Sequence, residues 1–357
     1  GSMDSKFLLN CNGCSSCFGC VNLRHESYYF LNEPLEKHEY EKRVREIMGS
    51  YSKMGEFRRK FEEFALKFPR RENNSLRTVD SSGDYLFGCK NLHGCFEVSN
   101  GEDCKYLFST KNTKDSYDLI GFGYDGNLLL EGVAVGKGSR VIGSFWAENA
   151  QDVGYSFAIK GGEYIFGCDS LKKGRYSILN KKYDEESFER IRKEIVDGLK
   201  ESGEYGLFMP PTIAPFGYNE TIAYDNIPLS REEALAQGFK WQDDLQMTVG
   251  KETVAPADIP DHIRDVGDDI TKEILKCVGC ERNYKIIVPE LAFYRKMTLP
   301  IPRKCFYCRH KDRVGRRGSF KLYDRECAKC GKGIKTNYSS DGPEIMYCEE
   351  CYRVEVI

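Results

Sequence analysis

Tyr85-Leu-Phe-Gly-Cys-Lys-Asn-Leu-His-Gly-Cys-Phe-Glu-Val98 holds two short apolar runs split by glycine and asparagine. Similar runs recur every 9–14 residues through residues 83–183: Tyr106-Leu-Phe108, Tyr117-Asp-Leu-Ile120, Leu128-Leu-Leu130, Val141-Ile142, Tyr155-Ser-Phe157, Tyr164-Ile-Phe166 and Tyr176-Ser-Ile178. Gly, Asn, Asp and Ser between them are strand-and-turn punctuation. Every second run begins 21, 22, 27 and 21 residues after the one before. A near-constant period of that size predicts a β-solenoid with one coil per repeat. A single coil cannot bury its inward face, whereas stacked coils bury Tyr, Phe, Leu and Cys in columns. A β-sandwich with meander connections is the alternative.

An internal repeat ties this region to the N-terminus. Phe18-Gly19-Cys20 matches Phe166-Gly167-Cys168, and the ungapped match of residues 18–47 with 166–195 contains ten identities, among them Leu23/Leu171, Tyr28/Tyr176 and Asn32/Asn180. A shorter copy is Phe87-Gly-Cys-Lys-Asn-Leu92. Cys11, Cys14, Cys17 and Cys20 keep a strict spacing of three. In the second copy Ile159, Gly162 and Ile165 replace the first three. The quartet therefore reads first as core thiols behaving like small apolar residues. A zinc site or an iron–sulfur cluster is the alternative, though the ferredoxin run has a longer last gap and a proline.

Around the repeats the signals are helical. Pro34 opens a helix with Leu35, Tyr40, Val44 and Ile47 on one face. Phe57, Phe61, Phe64 and Phe68 make a second stripe, read as core rather than as a cofactor box. Asp184 is placed to cap a helix over 184–205. Residues 207–260 hold six of the twelve prolines and read as an extended connector, with a capping box at Ser230 and with Phe239 and Trp241 as anchors. The segments are then 4–82, 83–183, 184–260 and 261–357.

The last segment carries four Cys-x-x-Cys pairs: Cys277/Cys280, Cys305/Cys308, Cys327/Cys330 and Cys348/Cys351. Two such pairs make a closed four-thiolate zinc site with no open position for chemistry. The expectation is two Zn2+ ions with sequential pairing, a cross-braced arrangement being the alternative, and a third ion at the N-terminal quartet if that is a site. Cys277-Val-Gly-Cys280, Glu290-Leu-Ala-Phe-Tyr294 and Pro302-Arg-Lys-Cys305-Phe-Tyr-Cys308-Arg309 together resemble the family described as the probable zinc-ribbon domain, a small treble-clef-like module. The chain as a whole is similar to large cysteine-rich bacterial proteins that carry it. The resemblance implies zinc, tandem zinc ribbons and a cytoplasmic setting. It implies no reaction.

The sequence has 357 residues and a net charge of −2, and no apolar run approaches the ~20 residues needed to cross a membrane. Gly1-Ser2-Met3 reads as a cloning remnant, and the residues after it are too short for a signal peptide. Sixteen cysteines without an export signal point to a reducing, cytoplasmic compartment. Gly121-Phe-Gly-Tyr-Asp-Gly126 and Gly132-Val-Ala-Val-Gly-Lys-Gly-Ser139 imitate nucleotide-binding loops, but neither precedes a helix, so both read as turns. Asp261, His262, Asp265, Asp268 and Asp269 read as a turn that caps a helix over 270–275. The alternative is a metal-dependent nuclease site.

Charge is segregated. Residues 295–335 carry net +11 and the remainder −13. Arg303, Lys304, Arg309, Lys311, Arg313, Arg316, Arg317 and Lys321 interleave there with Phe306, Tyr307, Phe320 and Tyr323. Cations neutralise phosphates, and aromatic faces stack on unpaired bases. The leading expectation is DNA or RNA binding through the basic ribbons, by backbone or shape. The same patch docking on the acidic remainder, or the repeat region acting as an adaptor for another protein, is the alternative.

Overall fold

The register of the parallel strands steps by twelve residues. Gly83 pairs with Cys95, Phe96 with Phe108, Glu102 with Lys114, Asn127 with Ser139, Phe145 with Phe157 and Lys160 with Lys172. One coil is a residue longer, with Lys114 opposite Asn127. In this computed structural model, which describes residues 1–245 and 247–357, the middle of the chain is a β-solenoid of about eight coils. Each coil is about half the length that the alternate-run period predicts. Consecutive apolar runs belong to consecutive coils, not to two walls of one coil.

A coil is built from triplets. Asn91, Gly94, Glu97, Asn100, Asp103 and Tyr106 all have positive φ, and the pattern continues every third residue, with one four-residue step from Gly121 to Asp125 in the longer coil, to Ser170, Lys173 and Tyr176. Each is a left-handed corner, and four corners close one coil. Asn, Asp and Gly are frequent there because they accept that region at least cost. The residue after each corner points inward: Leu92, Cys95, Val98, Cys104, Leu107, Thr110, Thr113, Ser116 and Leu119 are all buried. Corner side chains form ladders between coils. Asn100 Nδ2 donates to Asn112 Oδ1 at 3.0 Å, and Asn112 Nδ2 donates to Asp125 Oδ1 at 2.7 Å.

The N-terminal residues form a second, shorter solenoid with the same step. Met3 pairs with Ser15, Lys6 with Phe18, Leu9 with Val21 and Phe18 with Phe30. Asp4, Phe7, Asn10, Gly13, Ser16, Gly19 and Asn22 are its corners, with φ between +47° and +70°. Cys11, Cys14, Cys17 and Cys20 therefore occupy the four inward positions of one coil. Their spacing of three is the triplet itself. The inward thiols share one bonding pattern. Cys17 Sγ donates to the carbonyls of Ser15 and Glu26, both at 3.5 Å. Cys11, Cys20, Cys89, Cys95, Cys104 and Cys168 likewise reach the carbonyls two before and nine after. Burial pushes the Cys20 thiol up to about 12, and Cys95 and Cys104 to about 11. These thiols stay protonated and fill space.

The internal repeat is a shared way of ending a solenoid. Tyr29–Phe30 folds back on Glu33–Pro34, and Ser177–Ile178 folds back on Lys181–Lys182, in the same antiparallel register. Asn32 then seals the open edge: its Oδ1 accepts from Val21 N at 2.8 Å and its Nδ2 donates to Val21 O at 2.9 Å. Asn180 does the same to Asp169. Each side-chain amide stands in for the peptide group of a missing next coil. A helix follows each seal: α1 (Lys37–Ile47) after the first, with α2 (Tyr51–Ala65) packing back, and, after the second, α3 (Glu185–Glu201) capped by Asp184. Phe57 of α2 packs on Phe7, Phe18 and Phe30. Phe188 of α3 packs on Tyr164 and Tyr176.

The connector holds α4 (Ile222–Asn226) and α5 (Arg231–Ala236), the latter with the expected capping box at Ser230. Phe239 and Trp241 do not anchor it to a distant surface. They pack within it, on Tyr218 and Tyr224. The two glycine motifs lie in the solenoid, where Gly126, Gly132 and Gly138 hold inward positions. A Cβ on Gly126 would meet Leu129 Cδ1 at 2.5 Å.

Gly162 offers a test of the lumen. Its φ is +111°, and a Cβ there would lie 2.3 Å from the carbonyl oxygen of Gly174. Gly162→Ala is expected to cost about 3 kcal/mol or more. Gly198→Ala, in open space on α3, is expected to stabilise by up to ~1 kcal/mol. Urea unfolding followed by circular dichroism would compare them; equal effects would refute the packed-lumen geometry.

Candidate metal centres

Each C-terminal centre is assembled from a hairpin and a helix start. In the first, Leu275–Lys276 pairs with Asn283–Tyr284, and the turn between them carries Cys277 and Cys280. Cys277 N donates to Arg282 O, and Glu281 N returns to Cys277 O. After α6 (Val288–Met297), Cys305 caps α7 (Phe306–Arg317), and Cys308 lies in its first turn. In the second, Tyr323–Glu326 pairs with Gly333–Thr336 around Cys327 and Cys330, and Cys348 caps α8 (Glu349–Val356) with Cys351 in its first turn. The same arrangement, a cysteine-bearing hairpin followed by a helix that starts at the second cysteine pair, is made twice.

The ligand atoms of Cys277, Cys280, Cys305 and Cys308 lie within 4.8 Å of one another, and so do those of Cys327, Cys330, Cys348 and Cys351. The pairing is sequential, and each cluster could hold a metal ion. Four thiols around one point fit a closed tetrahedral zinc site. Among the described residues no other His, Cys, Asp or Glu group converges in this way. Cys11, Cys14, Cys17 and Cys20 do not converge to that closeness, because the four walls of their coil hold the sulfurs apart. Asp261, His262, Asp265, Asp268 and Asp269 do not converge either. Asp261 accepts from Ser50 Oγ and Ser52 N at the start of α2, Asp268 pairs with Arg295, and His262 Nδ1 accepts from Arg264 N at 3.2 Å. The helix expected over 270–275 is a single 3₁₀ turn, Asp268–Thr271, followed by the strand Leu275–Lys276.

The backbone prepares one thiolate per cluster. Burial pushes the Cys277 thiol up, but the N–H groups of Cys305 (3.2 Å), Gly279 (3.4 Å) and Cys280 favour the anion, and the result is about 6. Cys327 also reaches about 6: burial raises it, and the amides of Cys348, Cys330 and Lys329 lower it further. Cys308 is pushed up by burial and by the thiols of Cys280 and Cys277. Cys351 is pushed to about 12, chiefly by the Cys348 thiol and then by burial. The metal-free clusters therefore hold protons that an ion must displace.

The same modules join the rest of the chain. Arg303, adjoining the first centre, is buried. It donates to Ile259 O at 2.7 Å and Pro260 O at 3.0 Å, and lies 4.8 Å above the Tyr51 ring. Tyr352 of α8, 2% exposed, accepts from Asn10 Nδ2 and donates to Asn22 Oδ1 at 2.7 Å on the corner ladder of the first solenoid. Met346–Tyr347 adds a parallel strand to Arg70–Arg71. Between the modules, Phe320 packs on Phe108 at 4.2 Å and on Phe96 at 5.6 Å, outward side chains of the second solenoid.

The basic residues divide accordingly. Lys304 pairs with Asp312 at 2.8 Å, Arg309 contacts Tyr294 Oη and Glu290, and Arg317 stacks on Phe320 at 4.1 Å and bonds Asn226. With Arg303, these serve the fold. Lys311, Arg313, Arg316 and Lys321 remain exposed, as do Phe306 and Tyr307 at the start of α7, and Lys321 lies 5.3 Å from the Tyr323 ring. Arg282, which the sequence reading passed over, stacks on Tyr307 at 5.0 Å.

Purified chain is expected to carry two zinc ions, and Cys348→Ser one, by elemental analysis; in that variant, hydrogen exchange across residues 3–30 should rise as the Tyr352 contact loosens. Zinc affinity should fall as pH falls from about 8 to 6, since the loaded state binds fewer protons than the free thiols. An affinity flat across that range, read with a chromogenic chelator, would rule out thiolate ligation. In comparison with known proteins, no family model matches the chain and no curated protein is significantly similar to it, so the assignment rests on the ligand geometry.

Proposed function

We propose that the protein is a zinc-binding, nucleic-acid-binding protein whose contact surface is the exposed side of α7 and the linker after it. One observation carries the reading: Lys311, Arg313, Arg316 and Lys321 stay exposed on the helix that presents Phe306 and Tyr307 and on the linker after it, while Arg303, Lys304, Arg309 and Arg317 are occupied within the chain. Arg313 lies 6.0 Å above the Phe306 ring. Cations alternating with solvent-facing rings suit single-stranded DNA or RNA, with phosphates neutralised and bases stacked. The start of α7 is fixed by the first metal centre, so zinc holds the surface in shape. Sixteen cysteines without a disulfide suit a reducing, cytoplasmic compartment. No helix among the described residues is long and apolar enough to cross a membrane. The four-thiol geometry of each cluster supports zinc as the metal.

The test is fluorescence anisotropy of labelled single- and double-stranded DNA and RNA against the zinc-loaded chain across a salt series. Lys311→Glu/Arg313→Glu/Arg316→Glu is expected to abolish tight binding and to flatten the salt slope by about 2. Absence of binding at low salt by the intact chain would overturn the proposal and make this patch a docking surface.

A further inference from the structure

The outward residues of one solenoid wall form an unbroken apolar stripe. Phe96, Phe108, Ile120, Val133, Phe145 and Phe157 follow one another on successive coils. The first two are covered by Phe320 of the chain itself, with Arg317 stacked over that ring. The rest is open chiefly at its ends: Ile120 is 53% exposed, Phe157 44% and the adjoining corner residue Trp146 55%, while Val133 and Phe145 between them are half-buried. Phe145 and Phe157 stack at 5.1 Å and 10°. Coils spaced by ~4.8 Å make this open part roughly 14 Å long, the span of four or five extended residues.

Two corners beside one end of it are acidic. Asp118 and Glu131 precede Ile120 and Val133 on the same wall. Burial raises both carboxyls, the Asp118 charge raises Glu131 further, and among the described residues no cation or donor offsets this. The seat already filled shows what fits: an aromatic ring with a guanidinium against it. We infer that the open stripe from Ile120 to Phe157 is a docking site for an extended segment of another protein, one that presents an aromatic side chain flanked by Arg or Lys. The exposed patch is also contiguous with an interface that the fold already uses.

Trp146 reports on the site. The chain has two tryptophans, so Trp241→Phe leaves Trp146 as the sole emitter. The probe is a synthetic peptide copying residues 315–322, titrated into the zinc-loaded full chain. The expected result is a saturable shift of Trp146 emission, weakened about tenfold by Phe157→Ser and, separately, by Asp118→Lys/Glu131→Lys. The same peptide with serine for its phenylalanine should leave the emission unchanged. Far-ultraviolet circular dichroism checks that the variants keep the solenoid, since the altered side chains all point outward. Three results would overturn the inference: no emission change at millimolar peptide, equal binding by the variants, or self-association in sedimentation that the same substitutions abolish. The last would make the stripe a contact between copies.

Discussion

A lumen that admits one side chain from each wall of each coil dictates most of what this chain contains. With four walls of three residues, every third residue turns left-handed and its successor points inward. Corner strain is repeated along the whole solenoid, at Tyr106, Leu128, Trp146 and Tyr164 as well as at Asn and Gly, and is offset by inter-coil backbone hydrogen bonds. The inward positions exclude water, so polar side chains there turn to the backbone, Thr110 Oγ1 alone among the inward residues named above being left without a partner. Ser144 Oγ donates to Ile142 O and accepts from Ser156 N. Seven of the inward cysteines do likewise with two carbonyls, and Cys14 with one. A thiol is small, apolar and still able to donate weakly, which is why eight of the sixteen cysteines sit in walls rather than on metal.

The elements legible in the sequence were those with a familiar period or a local cap. The helices α1, α2, α3 and α5, the Asp184 and Ser230 caps and both four-cysteine clusters follow from spacing alone. The coil length did not, because the eye looks for periods of 2 and 3.6, and this fold has a period of 3. Leu86, Cys89, Leu92, Cys95 and Val98 display it, and so do Cys11, Cys14, Cys17 and Cys20. There it resembled a ligand set. The repeat between residues 18–47 and 166–195 was visible, but its meaning lies in Asn32 and Asn180, whose edge-sealing bonds exist only once the last coil is formed. Contacts of high sequence separation were equally hidden: nothing local in Tyr352 points to Asn10 and Asn22.

Zinc centres of this size are frames, and this chain uses them as joints. A closed four-thiolate site contributes on the order of 10 kcal/mol when loaded, far more than the contacts around it. The first frame positions Arg303 between the Pro260 turn and Tyr51 at the start of α2. The second positions Tyr352 on the short solenoid and Met346–Tyr347 on the segment that enters the long one. The linker between them places Phe320 on the long solenoid. Two solenoids that share no strand are thus held by one metal-supported module, and each of its contacts is modest alone.

Such a joint also explains how the strongly basic segment partitions. An arginine that must cross an interface needs acceptors or a ring, and Arg303, Arg309 and Arg317 each have them. These residues are spent on cohesion. What remains exposed on α7 is a narrower set, rigidly mounted because the helix starts at a metal ligand. The stripe on the solenoid is mounted as rigidly, by coils that cannot shift register without moving every inward side chain. The two surfaces differ in sign, one basic and one apolar with acidic edges. The Arg317–Phe320 linker lies between them and belongs chemically to the first while being seated on the second. Its fit there is the internal precedent for how basic, aromatic chain recognises this solenoid.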